Sequence, residues 1–174
     1  MTASPHRGVP NSIRQAVSCA VLALAALHAQ AGLIVGRVIK VSDGDTIVVL
    51  DGAKTRHHIR LRAIDAPERN QPFGRRARES LVELVAGKTV RVQSGGPDRY
   101  GRDLGIVRLG KVDVNQTQIE RGMAWWYRSY ADEQNAADRT DYRRAEAAAR
   151  AQRRGLWSKP HPVPPWIWRH RADH

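Results

Sequence analysis

Cysteine is almost absent: the 174 residues hold one, Cys19. Long apolar runs are equally scarce. The only one, Ala16 to Leu27, is too short to span a bilayer comfortably. Arg7 and Arg14 precede it and Ala29-Gln30-Ala31 follows it. A positive start, a short apolar stretch and small residues at −3 and −1 read as a signal peptide over residues 1–31, cleaved before Gly32. An anchor helix would need a longer run, and a lipoprotein anchor would need the run to end before Cys19. Removing the leader removes the only thiol. The rest of the chain could then form no disulfide, thiolate nucleophile or Cys-based zinc site. No second run is long enough for a membrane, so the expected location is secreted or periplasmic. Acidic residues are also few, 17 Asp and Glu against 29 Lys and Arg, for a formal charge of +12. Such a field attracts polyanions, of which nucleic acid is the commonest. The bases are mainly Arg, whose fork suits phosphate. There is no internal repeat and no long linker. One domain over 32–157 followed by a Pro/Trp-rich tail over 158–174 fits the length.

What is present reads first as short strands. Residues 33–41 alternate loosely, and 46–50, 58–64, 88–93 and 104–109 are β-like runs bounded by turn residues. Asp43-Gly44 and Asp51-Gly52 are expected to make the first two turns, with Gly44 taking a positive φ. Pro67 ends the third strand. Helices are expected at 73–86, with Ala77, Leu81, Leu84 and Val85 on one face, at 114–121, and at 140–154 with Tyr142, Ala145 and Ala149 inward. The Pro-rich stretch after Ser158 is expected to be irregular. Five strands with a helix after the third predict an α+β, mainly β fold: a five-stranded OB-fold barrel with about three helices, a class that often binds nucleic acid. An open α+β sandwich would give a similar pattern.

Carboxylates gather where these strands begin and end. Asp43 and Asp45 flank Gly44, and Asp65 and Glu68 flank Ala66-Pro67. Asp-Gly-Asp-Thr alone is more often a turn than a site. Its coincidence with Asp65 and Glu68 suggests oxygen ligands for a hard cation, completed by carbonyls and water. Arg60 sits inside an apolar strand, and Arg102 follows a Gly-rich loop and Tyr100-Gly101. Arginines aimed at a phosphodiester stabilise the charge that builds on its oxygens during cleavage. For Arg60 and Arg62 the alternative is a solvated strand face. Strict alternation puts Arg60 and Asp65 on opposite faces. A shared site therefore requires the backbone to bend between Ala63 and Asp65.

Asp43-Gly44-Asp45-Thr46, Arg60-Leu61-Arg62-Ala63-Ile64-Asp65-Ala66-Pro67-Glu68 and Asp98-Arg99-Tyr100-Gly101-Arg102 occur in order. In residue types and spacing they resemble the staphylococcal-nuclease (thermonuclease) family over roughly 36–157. The resemblance implies a Ca²⁺-dependent endonuclease that hydrolyses DNA and RNA and leaves 3′-phosphate ends. It implies Asp45, Asp65 and the Ala66 backbone carbonyl as metal ligands; the family usually has Thr where Ala66 stands. It implies Glu68 as the base acting on a water, and Arg60 and Arg102 as the phosphate-stabilising arginines. Arg99, Tyr100 and Tyr130 match positions that contact the nucleotide, while Arg128 falls where a second tyrosine is usual. Free Ca²⁺ is more available outside the cytoplasm, in keeping with an exported protein. A monomer without a stable protein partner, and without a membrane in the mature form, is expected.

Two other readings use the same residues. A non-catalytic nucleic-acid-binding OB module is one, although such a module would not need the carboxylates and both arginines. A Ca²⁺-stabilised domain meeting an acidic polymer is the other. Trp125 and Trp126 can fill the core or offer stacking. The tail, with Trp166 and Trp168, either packs on the barrel or forms a single-strand surface, to which Arg169 and Arg171 would add phosphate attraction. His57 and His58 are adjacent on a strand, so a joint metal site is not expected.

Overall fold

The computed structural model describes residues 32–172; the expected leader and Cys19 lie outside them. Five strands close into a barrel. β1 (Leu33–Val41), β2 (Thr46–Asp51) and β3 (Arg56–Leu61) form an antiparallel meander. β4 (Ile64–Asp65) stands outside the barrel sheet. β5 (Thr89–Pro97) pairs antiparallel with β1, and β6 (Asp103–Leu109) pairs antiparallel with β5. The parallel pairing of β6 with β3 shuts the barrel, with Arg60 opposite Leu104. This is the expected α+β OB-type barrel rather than an open sandwich. β7 (Val112–Asp113) extends the sheet beyond β6, and β8 (Trp125–Trp126) pairs with β4.

The core follows the two-residue period of the strands. Val38, Ile47, Val49, Ile59, Leu61, Val90, Val92 and Val107 form it. In β1 the period breaks between Val38 and Lys40 at a register shift, after which Val41 is buried again. Helix α1 (Gly74–Val85) packs onto this core through Ala77, Leu81 and Val85. Leu84, expected on the same face, is only partly buried. α2 (Val114–Glu120) is capped by Asp113, which accepts from the Gln116 amide at 2.9 Å. α3 (Ala136–Ala151) buries Tyr142, Ala145 and Ala149 as expected. It begins four residues before the stretch read as helical, because the Asn135 side chain caps it by accepting from the Asp138 amide at 2.8 Å. Tyr142 donates to Asp113 at 3.1 Å and ties α3 to the start of α2. Burial and the adjacent carboxylate push that phenol well above its ordinary pKa, so it stays a neutral donor.

Three local expectations need correction. Gly44 is not among the residues with positive φ. Its requirement is space: an added Cβ would stand 2.7 Å from the Cβ atoms of both Ala66 and Ala77. Gly44 thus lets the turn before β2 approach the Asp65 segment and α1. The Gly-rich loop expected between the strand at 88–93 and Arg102 is shorter than that: Ser94–Pro97 continues β5, with a register shift against β6 between Ser94 and Pro97. The tail is not irregular throughout: α4 (Pro165–Ala172) is helical. The prolines lie before it, and Pro165 occupies its first position, where a missing N–H costs no helical hydrogen bond. This makes a fourth α-helix among the described residues, beyond the three expected.

Candidate active site

The two carboxylate segments meet because the chain turns sharply after β3. Ala63 has φ 61°. A left-handed residue without a glycine's freedom is uncommon and costs roughly 1–2 kcal/mol. Around it the Tyr127 amide donates to the Ala63 carbonyl at 2.9 Å, and the Arg62 amide donates to the Gly105 carbonyl at 2.9 Å. β4 then pairs with β8, Asp65 opposite Trp125. The turn breaks the two-residue alternation, so Arg60 and Asp65 come to one side. Arg60 Nη2 donates to Asp65 Oδ1 at 2.7 Å.

Asp45 completes the cluster from the turn before β2. Asp43 accepts from the Asp45 amide at 3.0 Å, so Asp43 shapes the turn that presents Asp45. Asp45 is 2% exposed and Asp65 is 1% exposed. Arg60 also pairs with Asp45 through Nη1. The second Asp45 oxygen accepts from the Ala66 amide at 2.6 Å. Two buried carboxylates thus flank one guanidinium, whose other face opens to a cleft of about 860 Å³. Glu68 stands at the rim with its side chain 39% exposed. Its backbone is fixed by a tight turn in which the Glu68 amide donates to Gln71 Oε1 at 3.0 Å and the Gln71 amide returns to the Glu68 carbonyl at 2.9 Å. A Cβ on Gly74 would collide with that carbonyl.

Arg102 reaches the same cleft from the loop between β5 and β6. Asp98 aims it. Arg102 Nε donates to Asp98 Oδ2 at 2.8 Å, and the amides of Tyr100 and Arg102 donate to Asp98 Oδ1 at 2.8 and 3.0 Å. Burial pushes the Asp98 carboxyl up, but these hydrogen bonds outweigh it and hold the group below the usual carboxylate range. Tyr100 is 68% exposed and lies between two guanidiniums, Arg99 4.8 Å and Arg102 5.4 Å from its ring centre.

Tyr130 lines the far side of the cleft together with Tyr127, ring centres 5.5 Å apart. Arg128 turns away and pairs with buried Glu146 at 3.3 Å. Tyr127 therefore stands beside Tyr130 in the cleft where Arg128 does not, and Tyr100 is the third tyrosine lining it. Trp125 and Trp126 are buried. Arg62 is not on a solvated face; it donates to the Glu133 carbonyl and holds the 3₁₀ turn at Arg128–Glu133. His57 reaches Asp51 at 2.9 Å, whereas His58 is exposed, so they share no site.

Every site residue singled out from the sequence, namely Asp45, Arg60, Asp65, Ala66, Glu68, Arg99, Tyr100, Arg102 and Tyr130, lines this one cleft. Asp98 and Arg169 line it too. Asp98 could have been found from its spacing to Arg102 across a tight Tyr-Gly turn. For Arg169, which the sequence offers only as a general phosphate attractor, no local signal exists.

The donor set suits a hard cation: it is all oxygen, anionic and buried. Among the described residues no group of three or more His, Cys, Asp or Glu side chains is arranged to hold a metal ion. Asp45 and Asp65 supply two carboxylates, so an ion here would draw further oxygens from the Ala66 carbonyl, water and a substrate phosphate.

Comparison with known proteins agrees with this architecture. The staphylococcal nuclease homologue family matches residues 58–159, from β3 to just beyond the 3₁₀ turn at Gly155–Ser158. An uncharacterized endonuclease of Escherichia coli O157:H7 is 49% identical over 137 residues, covering 78% of this chain and 85% of that protein. A micrococcal nuclease of Shigella flexneri is 40% identical over 168 residues, covering 84% of this chain and 94% of that protein. An uncharacterized endonuclease of Haemophilus influenzae is 38% identical over 133 residues, covering 76% and 71%. The family match covers most of β3 and all of β4, β5 and β6, and includes Asp65, Glu68 and Arg102; the chain belongs to the staphylococcal nuclease homologue family.

Proposed function

We propose that the chain is an endonuclease that hydrolyses phosphodiester bonds in DNA and RNA with Ca²⁺ as its ion, leaves 3′-phosphate ends, and acts outside the cytoplasm after leader removal. The observation that carries the reading is the convergence of Asp45, Asp65, Glu68, Arg60 and Arg102, from separate stretches of chain, on one open cleft. Family membership and the names of its relatives support the nuclease part.

Asp45, Asp65 and the Ala66 carbonyl would hold Ca²⁺, which when bound withdraws charge from a phosphate oxygen and makes a nearby water easier to deprotonate. Glu68 accepts the proton of the attacking water. Its partial exposure lets water reach it while its backbone stays fixed. Arg60 is held by two carboxylates that oppose its reorientation, and Arg102 is held by Asp98. Both guanidiniums line the cleft and meet the negative charge that builds on the phosphate. The scissile phosphate belongs between them, with the 5′ oxygen as leaving group. Arg99 and Tyr100 supply charge and an exposed ring for the neighbouring nucleotide, and Tyr127 and Tyr130 supply an aromatic wall.

Digestion of supercoiled plasmid and of single-stranded RNA in Ca²⁺ or EDTA tests the proposal, with the ends of the products identified by phosphatase-dependent labelling. Cutting of both in Ca²⁺ only, with phosphate on the 3′ side, is the expected result. Undiminished cutting in EDTA would remove the metal requirement, and binding without cutting in Ca²⁺ would leave a binding module.

A further inference from the structure

The C-terminal helix brings a third arginine to the carboxylates. α4 is anchored on the side of the cleft by Trp166, whose ring lies 6.4 Å from that of Trp125 and 5.3 Å from that of Tyr127. Gln71 Nε2 donates to the Val163 carbonyl at 2.6 Å, and Trp168 Nε1 donates to Asn70 at 3.2 Å. This docking points Arg169 inward. Its Nη2 donates to Asp65 Oδ2 at 2.9 Å, and its Nη1 donates to Asp65 Oδ1 at 3.2 Å and to Glu68 Oε1 at 2.7 Å. Two guanidiniums therefore share the Asp65 carboxylate, but they are held differently. Arg60 comes from the barrel wall with its side chain 18% exposed, whereas Arg169 reaches in from a surface helix and remains 44% exposed. Ile167 and His170 on the same helix are exposed as well. The grip of α4 thus rests on an aromatic anchor, the hydrogen bond from Trp168 to Asn70 and a charged fork. Such a contact can open without disturbing the barrel.

The fork touches the two groups that the proposed chemistry needs free. An oxygen of Asp65 that accepts from a guanidinium is a poorer ligand for a cation, and the Glu68 oxygen that accepts from Arg169 is not free to accept from a water. A divalent ion beside Arg169 would also meet a like charge. We propose that α4 is an internal latch: Arg169 occupies the Asp65 and Glu68 carboxylates as a tethered cation, and docking of this helix and binding of a divalent ion at Asp65 oppose each other. The inference rests on the reading of Asp65 as a metal ligand. Coupling between two sites is reciprocal. Releasing the latch must tighten the ion, and the ion must loosen the latch by the same factor. The tether makes Arg169 an effective competitor, because its local concentration is set by a docked helix rather than by bulk solution.

Isothermal titration of the full chain with CaCl₂ tests this, run on the parent, R169Q, W166A and D65N. R169Q removes the charge at a partly exposed position, and W166A loosens the helix without touching the carboxylates. Both are expected to bind Ca²⁺ more tightly than the parent, by roughly tenfold, and D65N is expected to lose the ion. Saturating Ca²⁺ should also raise amide exchange across residues 165–172 of the parent. Equal or weaker binding by both R169Q and W166A, with D65N still losing the ion, would overturn the latch and leave the metal reading standing. Exchange unchanged by saturating Ca²⁺ would overturn it as well. Absence of binding in the parent and in R169Q alike would overturn the metal reading and the latch with it.

Discussion

On the proposed mechanism Arg60 and Arg102 meet the same phosphate, but they depend on different carboxylates, so their removal should be distinguishable. Arg60 neutralises two carboxylates that are almost wholly buried. Taking it away leaves Asp45 buried without a cationic partner, while Asp65 keeps Arg169; a broken buried pair costs about 3–5 kcal/mol. R60A is therefore expected to lose both cleavage and melting temperature in EDTA. Asp98 keeps its backbone amide partners when Arg102 is removed, so R102A should lose about 10²–10³ in rate with a much smaller change in melting. Asp98 itself gives a pH signature. Its folded pKa is depressed, so the ionised group stabilises the fold above the ordinary carboxyl value of 3.8, and that contribution is lost as pH falls through the folded pKa. D98N should melt below the parent at neutral pH, and thermal scans should show the gap closing as the pH drops below 3.8. Asp45, Arg60, Asp65 and Glu68 were legible because each sits in a short motif beside a strand end. Asp98 was harder, since its role appears only when the loop closes on its own amides. Arg169 was not legible at all: it meets Glu68 across 101 positions of chain, through a helix whose register no nearby residue reveals.

At the scale of elements, the site depends on one turn between β3 and β4. The sequence showed that alternation had to break between Ala63 and Asp65 but not how, because alanine carries no signal for a left-handed conformation. The structure places the break at Ala63 itself. A63P should therefore abolish cleavage, since proline fixes φ near −65° and Asp65 would swing away from Arg60. A63G should keep activity, with a stability change within about 1 kcal/mol, as strain relief offsets the added freedom of the unfolded chain. Plasmid nicking and thermal melts of the two variants check both outcomes; an active, stable A63P would show that the turn is not what joins the segments. The barrel strands were readable from their period and turn residues. The start of α3 was missed because no residue between its cap, Asn135, and Tyr142 is buried, and α4 was missed because prolines dominate the local composition while only Pro165 enters the helix.

For the molecule as a whole, a closed barrel carries Arg60 on its wall and holds Asp45, Asp65 and Arg102 on the turn, short strand and loop beside it, and an excess of basic residues supplies attraction for a polyanion. Those two properties alone would make a binding module. On the proposed mechanism, what separates an enzyme from a binder is Glu68, which neither builds the barrel nor adds positive charge. Its carboxylate can be made neutral at nearly constant shape, and its backbone hydrogen bonds do not use the side chain. The most direct test is therefore the single-turnover rate of plasmid cleavage in saturating Ca²⁺ by the parent and by E68Q, measured beside DNA affinity and melting temperature. The account predicts a loss of about 10²–10⁴ in rate with affinity and melting nearly unchanged. Cleavage by E68Q at the parental rate would contradict it.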